Sequence, residues 1–323
     1  MTRVPATRTP ERGRGPAPHP PAGPAVTLVR GTPRTGAAVA VCIPVYQGAA
    51  FLATTLEAVL AQTWSDVEVV VLDNASTDGT AAILAAVDDP RVTVWRNAST
   101  VPMIDNFNRA VALSHAPLVK LLPADDLIEP RCLERQVTPM LADPDLTVVA
   151  SRAHLVDEDG RIVARSRFLR GLLGVRDHDD VVRRVVRSGA NPIGADCAVT
   201  FRRSAFLAAG RYCDAEMYAD LGAQMRMLEH GRFLGQRETL VRFRVTPTTA
   251  SAAANEEDYA AQRAWTLALA AAEPAVRRCD RWIGALGAPL ARRRRELLFG
   301  LVSARARLTR ARSARARGKR WSP

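Results

Sequence analysis

Asp125 and Asp126 follow an apolar run, Leu118-Val119-Lys120-Leu121-Leu122, and Asp73 closes another, Val67 to Leu72. Two strands that deliver carboxylates to one edge of an open α/β sheet put them where such sheets bind ligands. The chemistry this suits is hard-cation binding beside a phosphorylated or hydroxylated ligand. Mg²⁺ and Mn²⁺ take oxygen ligands and are often held by one or two protein carboxylates plus substrate phosphates. Asp73 precedes Asn74-Ala75-Ser76-Thr77-Asp78-Gly79-Thr80. Its carboxylate either accepts from a ribose hydroxyl or base N–H, or serves as a turn acid. Tyr46 either offers a ring face for a base to stack on or packs on the sheet. Asp88-Asp89 and Asp179-Asp180 read as ordinary surface pairs.

The elements that must position these acids alternate. Val39 to Ile43 is a continuous apolar run, the pattern of a buried parallel strand. Residues 49–62 place Phe51, Leu52, Leu56, Val59 and Leu60 on one helical face. Strands at 67–72, 92–95 and 118–122 alternate with helices carrying Ile83, Leu84 and Val87, then Ile104, Phe107 and Val111. This implies an α/β fold, a Rossmann-like, mostly parallel central sheet with flanking helices. Further strands are expected near 147–151, 198–201 and 240–245, with a hairpin turn at Glu158-Asp159-Gly160. A helix is expected over 216–230, with Met217, Leu221, Met225 and Leu228 inward. Asp220 lies on it and, taken by itself, reads as a solvated helix residue.

Charge divides the chain. Residues 1–36 carry six Arg against Glu11, and residues 276–323 carry fifteen Lys or Arg against Asp280 and Glu296. The net +12 therefore belongs to the ends, which argues against a nucleic-acid-binding core. Residues 1–37, rich in Pro and Arg, are expected to be a disordered tail. Residues 256–323 are expected to form a helical basic extension. The arginines at 305, 307, 310, 312, 315 and 317 fall all round a helical wheel, so that stretch is not an amphipathic basic helix. Peripheral contact between this polycation and an anionic membrane is one reading, and a solvated extension the other. Five dispersed cysteines without a CxxC fit a reducing compartment. No apolar run reaches 18 residues and no apolar segment opens the chain. Neither a transmembrane helix nor a secretory signal is expected, and the location is expected to be cytoplasmic, at the inner face of the membrane if the tail docks. A dehydrogenase would need GxGxxG after the first strand, and it is absent. A nucleotidyltransferase would need a basic Gly-rich loop there, whereas Pro44-Val45-Tyr46-Gln47-Gly48 has no basic residue.

Taken together, the segments Val41–Gly48, Leu56–Thr63, Val71–Thr80, Asn106–Ala110 and Leu122–Asp126 resemble those of the family 2 glycosyltransferases, inverting nucleotide-sugar-dependent enzymes of the glycosyltransferase A-type fold. The resemblance spans about residues 38–255, with a nucleotide-binding half at 38–130 and an acceptor half at 131–255. It implies that Pro44, Val45, Tyr46 and Asp73 hold base and ribose, and that Asp125 lies against ribose or sugar. It implies that Asp126 ligates a divalent cation, Mg²⁺ or Mn²⁺, and that Asn106 and Asn108 orient the donor. Asp220 takes the place of the catalytic base, Asn191-Pro192-Ile193-Gly194 resembles an acceptor-side loop, and Arg244 lies on the Arg-bearing strand near the diphosphate. The implied activity is non-processive transfer of a sugar from a nucleoside-diphosphate sugar to a hydroxyl of a glycan, lipid-linked or small-molecule acceptor, within cell-envelope glycan biosynthesis. Pro123, Ala219 and Thr246 stand where relatives often carry an acid, Glu and His. These departures leave open a catalytically degenerate module that binds nucleotide sugars or polyanions.

Overall fold

The computed structural model describes residues 23–213, 218–246 and 255–318, with side chains to residue 300. One sheet of eleven strands runs through the molecule. Its first half comprises β1 (Val26–Arg30), β2 (Val39–Val45), β3 (Val67–Asp73), β4 (Val92–Asn97) and β5 (Leu118–Leu121). Strands β2 and β3 are buried along their whole length, which explains their largely apolar sequence, interrupted in β3 by Glu68 and closed by Asp73. Each fully buried Val or Leu contributes about 1.5–3 kcal/mol relative to exposure. The order β4-β3-β2-β5 is parallel. Helices α1 (Leu52–Leu60), α2 (Thr80–Ala85) and α3 (Met103–Ala112) make the crossovers.

The second half holds β6 (Leu127–Ile128), α4 (Cys132–Ala142), β7 (Leu146–Val156), β8 (Ile162–Arg167), β9 (Gly174–Arg176), α5 (His178–Ser188), β10 (Val199–Arg202), α6 (Arg203–Ala208), α7 (Ala219–Leu228) and β11 (Arg232–Arg244). Here the sheet is mixed: β10 runs antiparallel between β5 and β7, β11 pairs parallel with β7, and β6 pairs antiparallel with β11. The expected parallel character thus holds for the first half and not for the second. The hairpin at Glu158–Gly160 forms between β7 and β8, with Gly160 at φ 78°.

Residues 26–30 correct the expectation of a tail disordered through residue 37. Val26 to Arg30 form an edge strand antiparallel to β4. Backbone pairing along an open sheet edge orders this segment although its side chains stay largely exposed. Residues 1–22 lie outside the described residues, as do 216 and 217 of the expected helix.

The extension consists of α8 (Glu256–Ala272) and α9 (Arg278–Gly318). A capping box at Asn255 and Asp258 starts α8. Asp280, fully buried in α9, pairs with Arg183 at 3.0 Å and with Arg187, both on α5. Burial alone would raise its carboxyl, but the two arginines and the Arg277 N–H bring it down to about 2. Removing one partner of a buried ion pair strands the others. Asp280→Ala is expected to cost about 3 kcal/mol. Urea denaturation would measure that loss, and faster proteolysis between α8 and α9 would show which contact was released.

Candidate active site

The ends of β2 and β3 lie level: Val45 pairs with Asp73, and the Asn74 N–H donates to the Val45 carbonyl at 2.8 Å. The two following loops are laced together. Gln47, at φ 53°, donates its N–H to Ser76 Oγ and accepts from the Thr77 and Asp78 N–H groups through Oε1. Gly48 N–H donates to Thr80 Oγ1 at 2.8 Å. The hydroxyl-rich sequence after β3 therefore serves loop geometry. Pro44 and Val45 are buried beneath it, while Tyr46 is 56% exposed with its ring free to meet a ligand.

Asp73 is buried, takes the turn-acid role that its sequence context allows, and adds an ion pair. It accepts from the Ser76 N–H at 3.0 Å, as a turn acid, and it pairs with Arg96. Arg96 also donates to the Ser76 carbonyl and lines a small groove with Asp73, Arg30 and Val94. The parallel register sets Arg96 opposite Asp73. Opposite charges at neighbouring strand ends were the signal that could have found Arg96 in the sequence.

The acidic pair sits on a turn closed by the Asp126 N–H donating to the Pro123 carbonyl at 3.1 Å. Pro123 thus starts the turn, a place where its missing N–H is no loss. Thr55, buried on α1, donates its hydroxyl to the Ala124 and Asp126 carbonyls at 2.8 and 3.0 Å. From the other side, pairing of β6 with β11 brings Arg244 against the turn. Its N–H donates to Asp126 Oδ1 at 2.7 Å and its Nε to the Asp125 carbonyl at 2.8 Å.

The guanidinium of Arg244 also donates to the carbonyls of Asp157 and Glu158 and lies 4.3 Å over the Phe51 ring. Its backbone and guanidinium thus hold the acidic turn to the loop at 157–158. Among the described residues no hydrogen-bond partner reaches the buried Asp126 Oδ2, and the Cys197 thiol, a weak donor, faces the carboxyl. Burial and the neighbouring Asp125 push the Asp126 carboxyl well up. Burial also raises Asp125, against the pull of Arg244.

Asn106 and Asn108 are buried and bonded to protein groups. The Asn106 carbonyl oxygen accepts from Asn97 Nδ2, which also bonds Asn74, so that amides tie the ends of β3 and β4 to α3. Asn108 spends both ends on Tyr212, donating to its carbonyl at 2.8 Å and accepting from its N–H at 3.1 Å. Buried amides are costly unless satisfied, and here protein groups satisfy them.

Asp220 lies in the first turn of α7. Its Oδ2 accepts from Asn191 Nδ2 at 2.9 Å and its Oδ1 from the Leu221 N–H at 2.7 Å. Burial raises its carboxyl to about 6, while those two donors and Arg295 hold it from rising further. A second acid, Asp196, belongs to the same group and was not found in the sequence, where no motif marks it. It sits in a 3-10 turn, Asp196–Ala198, and accepts from the Tyr212 hydroxyl at 2.8 Å. Burial and then the charge of Asp220 push it to about 8.

Antiparallel insertion of β10 beside β5 explains why these groups meet. The residues just before β10 fall at the carboxyl end of β5, where the acidic pair lies. Cys197 therefore faces Asp126, and its neighbour Asp196 feels the charge of Asp220. Among the described residues no group of three His, Cys, Asp or Glu comes together as a metal cage. Two carboxylates with a bare oxygen fit Mg²⁺ or Mn²⁺ only when other oxygens, such as phosphates, complete the shell.

Carboxylates at the carboxyl end of a parallel Rossmann-like half, with a mixed second half beside it, define the class of fold as α/β. The family model for glycosyl transferase family 2 matches residues 40–208, more than half of the chain, and the chain belongs to that family. It is similar to an uncharacterized protein of Mycobacterium tuberculosis, 29% identical over 201 residues, covering 59% of this chain and 61% of the relative. The chain thus spans about three fifths of that relative's length. The fold is like that of S. aureus TarS 1-349 in complex with UDP-GlcNAc, with TM-score 0.58, 16% identity, and coverage of 77% of this chain and 71% of that one. It is also like mannosyltransferase PcManGT from Pyrobaculum calidifontis in complex with GDP-Man and Mn²⁺. There the TM-score is 0.51 and the identity 19%, with coverage of 85% and 87%. These likenesses agree with the glycosyltransferase A-type fold.

Proposed function

We propose that the chain is a metal-assisted, inverting, non-processive glycosyltransferase that moves a sugar from a nucleoside-diphosphate sugar to an acceptor hydroxyl. The observation that carries this reading is the bare, buried Oδ2 of Asp126, whose carboxyl faces Cys197, the residue after Asp196. Base and ribose lie against Tyr46, Pro44, Val45 and the Asp73–Arg96 pair. Asp126, with Asp125 beside it, would hold a divalent cation. When bound, the cation neutralises charge on the departing phosphate. Arg244 keeps both acids in place from behind.

Asp220 takes the proton of the acceptor hydroxyl. Each of its oxygens already accepts one hydrogen bond, which fixes the carboxylate and leaves lone pairs for the proton. The acceptor oxygen then bonds to the anomeric carbon as the bond from that carbon to the phosphate oxygen breaks. The nucleoside diphosphate leaves with the electron pair, and the single displacement inverts the anomeric centre. A carboxylate at about 6 is largely ionised near neutral pH yet basic enough to accept a proton in the transition state.

The test is release of nucleoside diphosphate from common UDP-, GDP- and TDP-sugars, with and without Mn²⁺. Cation-dependent release from one donor is expected, stimulated by an acceptor. Tight nucleotide binding without release from any donor would instead support a degenerate binding module.

A further inference from the structure

Among the described residues, five of the eleven exposed large apolar side chains lie on α9: Trp282, Ile283, Leu286, Leu290 and Leu297. Trp282, Leu286 and Leu297 are 72%, 77% and 69% exposed. At 3.6 residues per turn, Trp282, Leu286, Leu290 and Leu297 fall within about 80° of one another, over a length of about 22 Å. They form one stripe, and no described part of the chain covers it. The expectation that the basic extension lacks an amphipathic face came from residues 305–317; the stripe lies upstream of them.

The orientation of this stripe is set by the opposite face of α9. Asp280 is buried between Arg183 and Arg187. No room exists for a Cβ between Gly284 and the Val186 carbonyl, so helix and helix meet backbone to backbone. Further along, Arg292 donates to Glu256 at 2.7 Å and lies 4.6 Å over the Tyr259 ring. With those residues turned inward, the stripe must face outward. Exposed Arg278 and Arg294 flank it, exposed Arg293 lies within it between Trp282 and Leu286 on the same wheel, and the sequence from 276 onward carries a net charge of +13.

From this combination we propose that the outer face of α9 is a docking surface for an anionic lipid bilayer, with Trp282, Leu286, Leu290 and Leu297 entering the interface and the arginines meeting the headgroups. An apolar stripe with Trp and Leu on one side and arginines along it is the composition of a helix that lies in the membrane plane. No described helix is long and apolar enough to cross a bilayer. A second copy of the chain fits the surface poorly, because pairing stripe on stripe would bring two strongly positive segments together. The same helix carries Arg295, close enough to act on the charge of Asp220. Docking through α9 would therefore hold the acceptor end of the site near the lipid surface. The inference does not depend on the transferase reading, since vesicle binding is measured without donor or acceptor.

The experiment is co-sedimentation of the full chain with vesicles of equimolar phosphatidylglycerol and phosphatidylcholine, and with phosphatidylcholine alone. Binding at least about tenfold tighter to the anionic vesicles is expected. The double variant Leu286→Glu, Leu290→Glu should lose at least about tenfold of that binding, as should Arg293→Glu, Arg294→Glu, with unchanged circular dichroism. Both pairs are exposed, so the fold does not need them. Wild-type binding by the Leu variant would overturn the proposal, leaving a purely electrostatic attraction of the polycation. So would a wild-type chain that ignores anionic vesicles, or one that elutes as a dimer which the Leu variant dissociates while vesicle binding stays absent.

Discussion

Asp220→Asn is expected to lower kcat on the order of 10² to 10⁴-fold while donor affinity stays near that of the wild type. The substitution preserves shape and leaves an oxygen to accept from Asn191 or the Leu221 N–H, but it removes the group that takes the proton. In the wild type, burial holds this carboxyl at about 6, so transfer should fall as pH drops through that value and the base becomes protonated. Asp196 keeps its proton up to about 8. Between the two values the pair carries one negative charge, centred on Asp220, and its titration belongs to both groups. Asp196→Asn reproduces the neutral form of Asp196 and should retain most activity near neutral pH while removing any inflection near 8. Initial rates across pH, with both variants, decide the assignment. A dead Asp196→Asn beside an active Asp220→Asn would exchange the two roles.

The strands that carry Asp73 and the acidic pair were readable because both faces of β2, β3 and β5 are covered. Such strands are apolar with at most one charged residue inside the run, Glu68 in β3 and Lys120 in β5, and turn residues bound them. Strand β1 was not readable, because its order comes from backbone pairing with β4 and its side chains remain largely exposed. The second half of the sheet was legible as strands but not as pairings. Insertion of β10 between β5 and β7 is a tertiary fact, and it alone brings Asp196 and Cys197 to the acidic pair.

The same limit applies to side-chain roles. Asn106, Asn108 and Arg244 stand at positions that motif likeness links to the donor, and their partners in the fold are Asn97, Tyr212 and the carbonyls of 125, 157 and 158. A motif preserves a position; which face of that position meets the ligand depends on neighbours distant in sequence. Asp73 shows both levels at once, being a turn acid by its local bonds and half of an ion pair by its strand register.

Asp126→Asn should abolish cation-dependent donor binding and transfer while making the cation-free protein more stable. The two effects have one cause. Asp126 is buried, one oxygen bonded to the Arg244 N–H and the other bare, so its ionised form is disfavoured in the fold. A carboxyl whose folded pKa is raised contributes stability at low pH that is lost as pH rises above its unfolded value. At neutral pH the wild type bears that loss, and Asn removes it while keeping an oxygen for the Arg244 N–H. A cation and donor phosphates offset the same penalty in the wild type by bonding the bare oxygen, and ligand binding to the folded state raises stability. Thermal melts therefore give crossed results. Without ligands, Asp126→Asn should melt above the wild type. With Mn²⁺ and the nucleoside diphosphate identified by donor screening, the wild type should rise and the variant should stay where it was. An equal rise in both proteins would place the cation elsewhere and remove Asp126 from the donor site. Arg244→Ala serves as the contrast, since it releases the acidic turn from behind and should lower the ligand-free melting temperature as well as binding. A residue that holds the ligand and a residue that holds the loop are thus told apart by the sign of their effect on the empty protein.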